Sequence, residues 1–99
     1  MARRDANHAE IVAGLRAAGC SVVELHAVGS GVPDILAARG GLMRLIEIMT
    51  AAGLKGRHGN PATTAKQVAF REAWRGPAVV VVSSLAEAFA AVGVAAVIR

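Results

Sequence analysis

Asp34 and Glu47 are the side chains whose types and spacing point most directly to chemistry. The pair Gly40-Gly41 separates two apolar runs, which is typical of a two-residue β-hairpin turn. In such a hairpin Asp34 lies directly opposite Glu47, with the two Cβ atoms roughly 4.5–5.5 Å apart. Opposed carboxylates among apolar neighbours need a shared proton, a basic partner or a metal ion. A Mg²⁺ ion bound through one or two carboxylates, waters and phosphate oxygens meets that need.

A reading without a metal accounts for the same residues. Asp34 would then only end the loop, directly after Pro33, and would have no role in binding a ligand. Glu47 would form an ion pair with Arg44 or Arg39. The register of the hairpin decides between the two readings, because a slip of one residue places the two acids on opposite faces of the sheet.

The helices and strands that must position this pair can be predicted from the sequence pattern. Their order, αβββαβα, indicates a mixed α/β domain with helices on both faces of a central sheet. The run Ala78–Val82 has no polar face, which favours a fully buried strand. We expect Gly93–Arg99 to form a last strand or a dimer contact. Apolar periodicity and turn residues predict helices over Asp5–Ala18 and Thr64–Trp74 and from Ser84 through Val92, and strands over Ser21–His26, Asp34–Arg39, Leu42–Met49 and Ala78–Val82.

Each predicted helix starts with the spacing of a capping box, in which an N-cap side chain and an acid or amide three residues later exchange hydrogen bonds with the backbone. The three pairs are Asn7 with Glu10, Thr64 with Gln67, and Ser84 with Glu87.

The composition bounds the classes of protein that remain. Ninety-nine residues, of which 55% are hydrophobic, suit one domain over residues 1–99 and exclude a disordered chain. A formal charge of +4 suits a polyanionic partner such as nucleic acid. Cys20 is the only cysteine, so an intrachain disulfide is excluded. No apolar stretch reaches the length of a membrane span, and we expect a cytoplasmic protein.

Two segments together are similar to the signature of a nuclease superfamily. Gly31-Val32-Pro33-Asp34-Ile35-Leu36 followed by Leu45-Ile46-Glu47-Ile48-Met49 resembles the motif of the PD-(D/E)xK nucleases. The resemblance is closest to small VRR-NUC-type domains and, more distantly, to Holliday junction resolvases. It implies a restriction-endonuclease-like core, a three-stranded meander plus a further strand flanked by helices, and it covers nearly the whole chain.

The resemblance also implies roles for particular residues. Asp34, Glu47, Glu10 and the backbone carbonyl of Ile48 would hold Mg²⁺ or Mn²⁺ for hydrolysis of a phosphodiester in DNA. Gln67 would lie near the active site, although helix capping explains it equally well. We expect DNA as the partner, including branched DNA, and a homodimer that presents two cleavage sites. Phosphate contacts are expected from Arg3, Arg4, Lys55, Arg57 and Lys66, each of which could instead be a solvated surface charge.

Met49 departs from the family pattern, because the residue two positions after the glutamate is normally a lysine. A thioether has neither the positive charge nor the proton that such a lysine offers to the attacking water and the phosphate. Three explanations stay open. Met49 is an inactivating substitution, or the lysine function has moved to Lys55 or Lys66, or the chain is a natural pseudo-nuclease that binds DNA without cutting it.

Other classes of function compete with a nuclease. A non-enzymatic basic module that binds DNA or a partner subunit would have no affinity for divalent metals. Phosphate binding by the loop Gly29-Ser30-Gly31 is weakly supported, because no helix is expected directly after it. His8 and His58 are too isolated in the sequence to predict a zinc site. His26 is interpreted as a packed or edge histidine, and Cys20 as a small buried hydrophobe.

Overall fold

A computed structural model describes residues 7–50 and 64–94 of the chain. In these ranges the predicted order αβββαβα is confirmed. The elements are α1 (His8–Ala17), β1 (Ser21–Glu24), β2 (Ile35–Arg39), β3 (Leu42–Ile48), α2 (Ala65–Ala73), β4 (Val80–Val82) and α3 (Leu85–Ala91).

The four described strands form one mixed sheet in the order β1-β2-β3-β4. The first three strands are antiparallel neighbours and form a meander, whereas β4 pairs with β3 in parallel. This topology confirms the predicted α/β class and the meander plus a further strand.

Gly40 allows the tight turn of the β2–β3 hairpin. Its φ is +60°, a conformation that costs glycine nothing and strains other residues. Arg39 pairs with Leu42 across the turn, so the loop contains two residues, as the Gly-Gly pair predicts. The turn thereby sets the register for the whole hairpin.

The core lies between α1, α3 and one face of the sheet. Helix α1 contacts both α3 and β1, and α3 contacts β4. Because side chains alternate along a strand, the even-numbered residues of β3 share this covered face. The fully or nearly fully buried side chains of this core include Ile11, Leu15, Ile35, Ile46, Ile48, Val82 and Val92. Cys20 is also in this core, as predicted.

One prediction about burial is wrong. Strand β4 was expected to be fully buried, but only Val82 is buried, because β4 lies at the end of the described strand order with a neighbour on one side. Helix α2 contains no buried residue. Val68 and Trp74 are 43% and 39% exposed, and the Trp74 ring stacks on Phe70 with ring centroids 5.6 Å apart.

The capping predictions have different outcomes. Thr64 and Gln67 form the complete capping box at the start of α2. Asn7 is the N-cap of α1 but its side chain makes no cap hydrogen bond. Its Nδ2 atom donates to the carbonyls of Met49 and Ser83, which turns the side chain away from the helix, and its Oδ1 atom has no hydrogen-bond partner in the described part of the chain. The prediction of a capping box with Glu10 is therefore wrong.

The start of α3 differs from the predicted box by one residue. The Ser84 hydroxyl accepts from the Glu87 N–H, as expected. The Glu87 carboxylate instead accepts from the backbone N–H of Ser83 at 2.6 Å and from its hydroxyl at 3.0 Å. These hydrogen bonds lower the pKa of Glu87 below its ordinary value, the backbone bond contributing most.

The predicted last strand or dimer contact falls mostly on residues 95–99, which lie outside the described residues. Helix α3 ends at Ala91, and Gly93 follows with a φ of +75°. Among the described helices, none has the length and apolar character needed to cross a membrane.

Candidate functional site

Asp34 and Glu47 occupy facing positions, as the hairpin predicts. Five consecutive pairs from Arg39–Leu42 to Ile35–Ile46 keep one register. One further step along both strands places Asp34 opposite Glu47. The Asp34 Oδ2 atom accepts a hydrogen bond of 2.7 Å from the backbone N–H of Ile48, the residue after Glu47. The two acids are therefore brought to the same end of the hairpin.

Pro33 explains why β2 begins only after Asp34. In the same register Pro33 would face Ile48, and proline has no N–H with which to continue the ladder. The Ile48 N–H bonds to the Asp34 carboxylate instead of to a β2 carbonyl. The Ile48 carbonyl projects to the same side of β3 as its own N–H. Pro33 cannot donate to that carbonyl, which leaves the oxygen beside the Asp34 carboxylate as a potential ligand.

Glu47 is a buried carboxylate, with 7% of the residue exposed. It lies on the face of the sheet opposite to Ile46 and Ile48, because side chains alternate along β3. Arg44 alternates to the other face and its guanidinium donates to the Met43 carbonyl at 3.1 Å. Strand geometry thus directs Arg44 away from Glu47.

Met49 follows β3 and is 9% exposed. Its backbone N–H donates to the Val82 carbonyl at 2.9 Å, so the parallel pairing with β4 extends past Ile48. Its carbonyl accepts from the Asn7 amide at 3.3 Å, and the same amide donates to the Ser83 carbonyl at 2.7 Å. The side chain of Asn7 therefore ties the start of α1 to the carboxyl ends of β3 and β4.

Glu10 lies exposed in the first turn of α1, which starts at this end of the sheet. It does not form a cluster of ligand atoms with Asp34 and Glu47. Among the described residues, such a group of three His, Cys, Asp or Glu side chains occurs elsewhere. The two carboxylates of the hairpin are thus placed together by the fold, whereas a role for Glu10 beside them stays a prediction.

The start of α2 approaches the segment before Asp34. Gly31 has a φ of +80°, and a Cβ atom there would lie 2.2 Å from the backbone carbonyl oxygen of Lys66. Only a residue without a side chain allows this contact. Lys66 is exposed, and Gln67 uses its Oε1 to accept from the Thr64 N–H at 2.8 Å. Capping thus accounts for the Gln67 carbonyl oxygen, and the Lys66 backbone is held against the segment that precedes Asp34.

The other predicted phosphate contacts lie outside the described residues. They are Arg3, Arg4, Lys55 and Arg57.

A second group of titratable side chains assembles on the covered side of the sheet. His8 is 2% exposed, and its Nε2 lies 2.9 Å from the Glu24 Oε1. His26 Nδ1 lies 3.9 Å from the same oxygen, and the two imidazole rings meet edge to face with centroids 5.4 Å apart. One ligand atom from each of these three residues lies within 4.8 Å of the others.

The interpretation of His8 as isolated is therefore wrong, although His58 lies outside the described residues. His8 is distant in sequence from Glu24 and His26, and packing of α1 against β1 brings the three together. A partial signal existed in the sequence, because residues two apart on a strand point to one side. Nothing local to His8 identified the helix that faces them.

Comparisons of the chain with protein-family models, with curated proteins and with solved structures gave no match.

Proposed function

We propose that this chain is a metal-dependent DNA nuclease domain of the PD-(D/E)xK type, impaired by Met49. The facing positions of Asp34 and Glu47, with the Asp34 carboxylate 2.7 Å from the Ile48 N–H, are the observation that carries the proposal. Two acids in such positions repel each other across a strand pair, and a cation bound between them would relieve that repulsion.

The donor set fits Mg²⁺ or Mn²⁺, which prefer oxygen ligands. Asp34, Glu47 and the carbonyl of Ile48 supply these oxygens, and Glu10 is proposed as a further carboxylate from α1. When bound, the metal would polarise the scissile phosphate and lower the pKa of a water molecule. The protein's own contribution is to hold its carboxylates rigidly, which the Ile48 N–H does for Asp34.

Met49 explains the expected weakness of catalysis. It is buried on the side of Glu47 and carries no charge with which to orient water or stabilise a phosphate. Loss of such a group costs roughly 10²–10⁴-fold in rate. Binding of metal and DNA does not depend on it and survives.

Lys66 is the favoured position if the lysine function has moved. Its backbone contacts Gly31, three residues before Asp34, and its side chain is exposed and free to turn toward a bound phosphate. Lys55, the other position considered, lies outside the described residues. Activity of the unaltered chain that disappears in Lys66→Ala would identify this arrangement.

The net charge of +4 supports DNA as the polyanionic partner. Branched DNA and a homodimer belong to the same proposal, because two sites related by symmetry suit a junction with paired strands. Affinity that falls steeply with salt would support phosphate contacts.

The test compares the unaltered chain with Met49→Lys on supercoiled plasmid, linear DNA and a four-way junction, with Mg²⁺ or Mn²⁺. Met43→Lys is the matched control, because Met43 lies on β3, on the same face as Glu47, and is 52% exposed. It adds the same charge to the same face, away from the acidic pair.

We expect Met49→Lys to cleave roughly 10²–10⁴-fold faster than the unaltered chain, and Met43→Lys to remain at the starting rate. Adding Asp34→Asn to Met49→Lys should abolish the gain. If Met49→Lys and the unaltered chain both bind DNA and neither cuts it, the nuclease proposal is wrong and a non-catalytic DNA-binding module replaces it.

A further inference from the structure

We infer that His8, Glu24 and His26 form a second metal site, selective for a transition metal of the zinc class. It joins α1 to the end of β1 on the covered side of the sheet. The site does not depend on the proposed nuclease function, because its residues are separate from the acidic pair and lie on the other side of the sheet.

Strand alternation establishes this separation. Glu24 is the direct partner of Ile35, and Ile35 is the direct partner of Ile46, so these three side chains share the covered face. Glu47 follows Ile46 on β3 and points the other way. His8 reaches Glu24 from α1, the helix that covers this face. Ions bound at the two sites would have different ligands and different surroundings.

The distances require a small rearrangement. The ligand atoms are 2.9 Å apart for His8 and Glu24 and 3.9 Å apart for His26 and Glu24. A tetrahedral zinc ion with bonds of about 2.0–2.1 Å needs its ligand atoms roughly 3.3–3.4 Å apart. The first pair must open by about half an ångström and the second must close by a similar amount. The ligand atoms of His8 and His26 lie within 4.8 Å of each other and must close by up to about 1.4 Å. Rotation of the partly exposed His26 imidazole and Glu24 carboxylate provides these movements.

His26 supplies an independent reason to expect a ligand. Its Nδ1 atom is buried and has no hydrogen-bond partner in the described part of the chain. Leaving a buried polar nitrogen without a hydrogen-bond partner destabilises the fold. The same atom faces the Glu24 carboxylate at 3.9 Å, too far for a hydrogen bond. A cation bound at this position would satisfy the His26 nitrogen.

The ligand types select the metal. Two imidazoles and one carboxylate are the protein ligands of many zinc sites with an open fourth position. Magnesium and calcium prefer oxygen ligands, so they compete poorly here. A groove of about 190 Å³ beside His8 and Glu24 gives access for a water as fourth ligand. Arg16 lines the same groove, but its guanidinium donates to the Val22 carbonyl at 3.0 Å.

Calorimetry with zinc chloride on the untagged full chain tests this inference. The variants are His26→Gln and Glu24→Gln, and each removes one ligand. His58→Gln is the matched control for losing a histidine, and Asp34→Asn is the control for the acidic pair. Circular dichroism confirms that each variant remains folded. Cobalt chloride provides a second readout, because tetrahedral Co²⁺ absorbs visible light strongly.

We expect the histidine site to bind one zinc ion per chain, with an affinity at least about tenfold weaker in His26→Gln and in Glu24→Gln. His58→Gln should bind zinc as the unaltered chain does, and Asp34→Asn should keep the zinc ion of the histidine site while it loses any zinc held by the acidic pair. Zinc should also raise the melting temperature of the unaltered chain, because it binds the folded state. The inference is overturned if the unaltered chain gives no zinc heat, if the two ligand variants bind zinc as tightly as the unaltered chain does, or if Asp34→Asn removes all zinc binding.

Discussion

The two faces of the sheet carry groups of ionisable side chains that are assembled in different ways. Asp34 and Glu47 come from one hairpin, and a two-residue turn sets their register. His8, Glu24 and His26 come from a helix, a strand and the loop that follows it, and helix packing brings them together. The first group depends on local geometry and the second on the tertiary fold. The first could therefore be predicted from residue spacing and the second could not.

The faces also differ in how much their side chains contribute to stability. Ile46 is fully buried on the covered face, whereas Met43, on the same strand, is 52% exposed on the other face. Burial removes apolar surface from water, so truncation is costly only where the side chain is packed. Matched substitutions on the two faces test this difference in their contribution to stability.

The largest expected effect is on the covered face. Ile46→Ala should lower the free energy of unfolding by about 2–5 kcal/mol, because it leaves a cavity in the core. Met43→Ala should change it by less than about 0.5 kcal/mol, as is usual for exposed positions. Urea denaturation measures both. Similar losses for the two variants would contradict the assignment of the faces.

A smaller effect is expected where the loop before Asp34 meets α2. Gly31→Ala combines a positive φ with a Cβ only 2.2 Å from the Lys66 carbonyl oxygen. Gly29→Ala is the matched control, since its φ is +77° and no atom lies within 4 Å of its added Cβ. We expect a loss of about 1 kcal/mol for Gly29→Ala from the backbone alone. Gly31→Ala should lose a further 1–3 kcal/mol or so from the overlap.

Equal losses in the two glycine variants, measured by urea denaturation, would show that α2 does not approach Gly31 closely. That result would also remove the structural support for Lys66 as the position of a relocated lysine.

The smallest expected change in the free energy of unfolding concerns Glu87. Its hydrogen bonds from Ser83 explain the role of this carboxylate without a metal. Its pKa is lowered in the folded state, so its ionised form stabilises the fold above the unfolded value. That contribution is present at neutral pH and is lost as the pH falls through the folded pKa. Glu87→Gln should cost under about 1 kcal/mol, because the site is exposed.

The stability difference between Glu87→Gln and the unaltered chain should therefore shrink from about pH 7 to about pH 3. Urea denaturation at several pH values measures it. If the stability difference instead grows as the pH falls, its pH dependence has the opposite sign and contradicts the capping role of Glu87.

Residue spacing predicted what depends on neighbours in sequence. The glycine pair predicted the hairpin register, and Thr64 with Gln67 predicted a cap that the structure confirms. Spacing failed where distant elements compete for a side chain. Asn7 has the sequence pattern of a capping box, yet its amide bonds to the carbonyls of Met49 and Ser83 at the ends of two strands.

Burial of strands and helices was equally hard to predict from composition. Valines in β4 indicate a strand but not whether it has one neighbour or two, and β4 is only partly buried. The apolar residues of α2 indicate a helix but not what covers it. The partner of His8 depends on how α1 packs, which no local pattern encodes.

The measurement that tests the account most directly is calorimetry with Mn²⁺ on Glu24→Gln and on Glu24→Gln with Asp34→Asn. The Glu24 substitution removes a ligand of the histidine site, so the heat reports on the acidic pair. Asparagine retains an oxygen that can accept from the Ile48 N–H, so the loop remains in place. Glu87→Gln in the same background controls for the loss of any carboxylate.

We predict that Glu24→Gln binds Mn²⁺, that adding Asp34→Asn weakens the binding at least about tenfold, and that adding Glu87→Gln leaves it unchanged. Equal and negligible heats for all three proteins would contradict a metal site at Asp34 and Glu47, and with it the proposed nuclease.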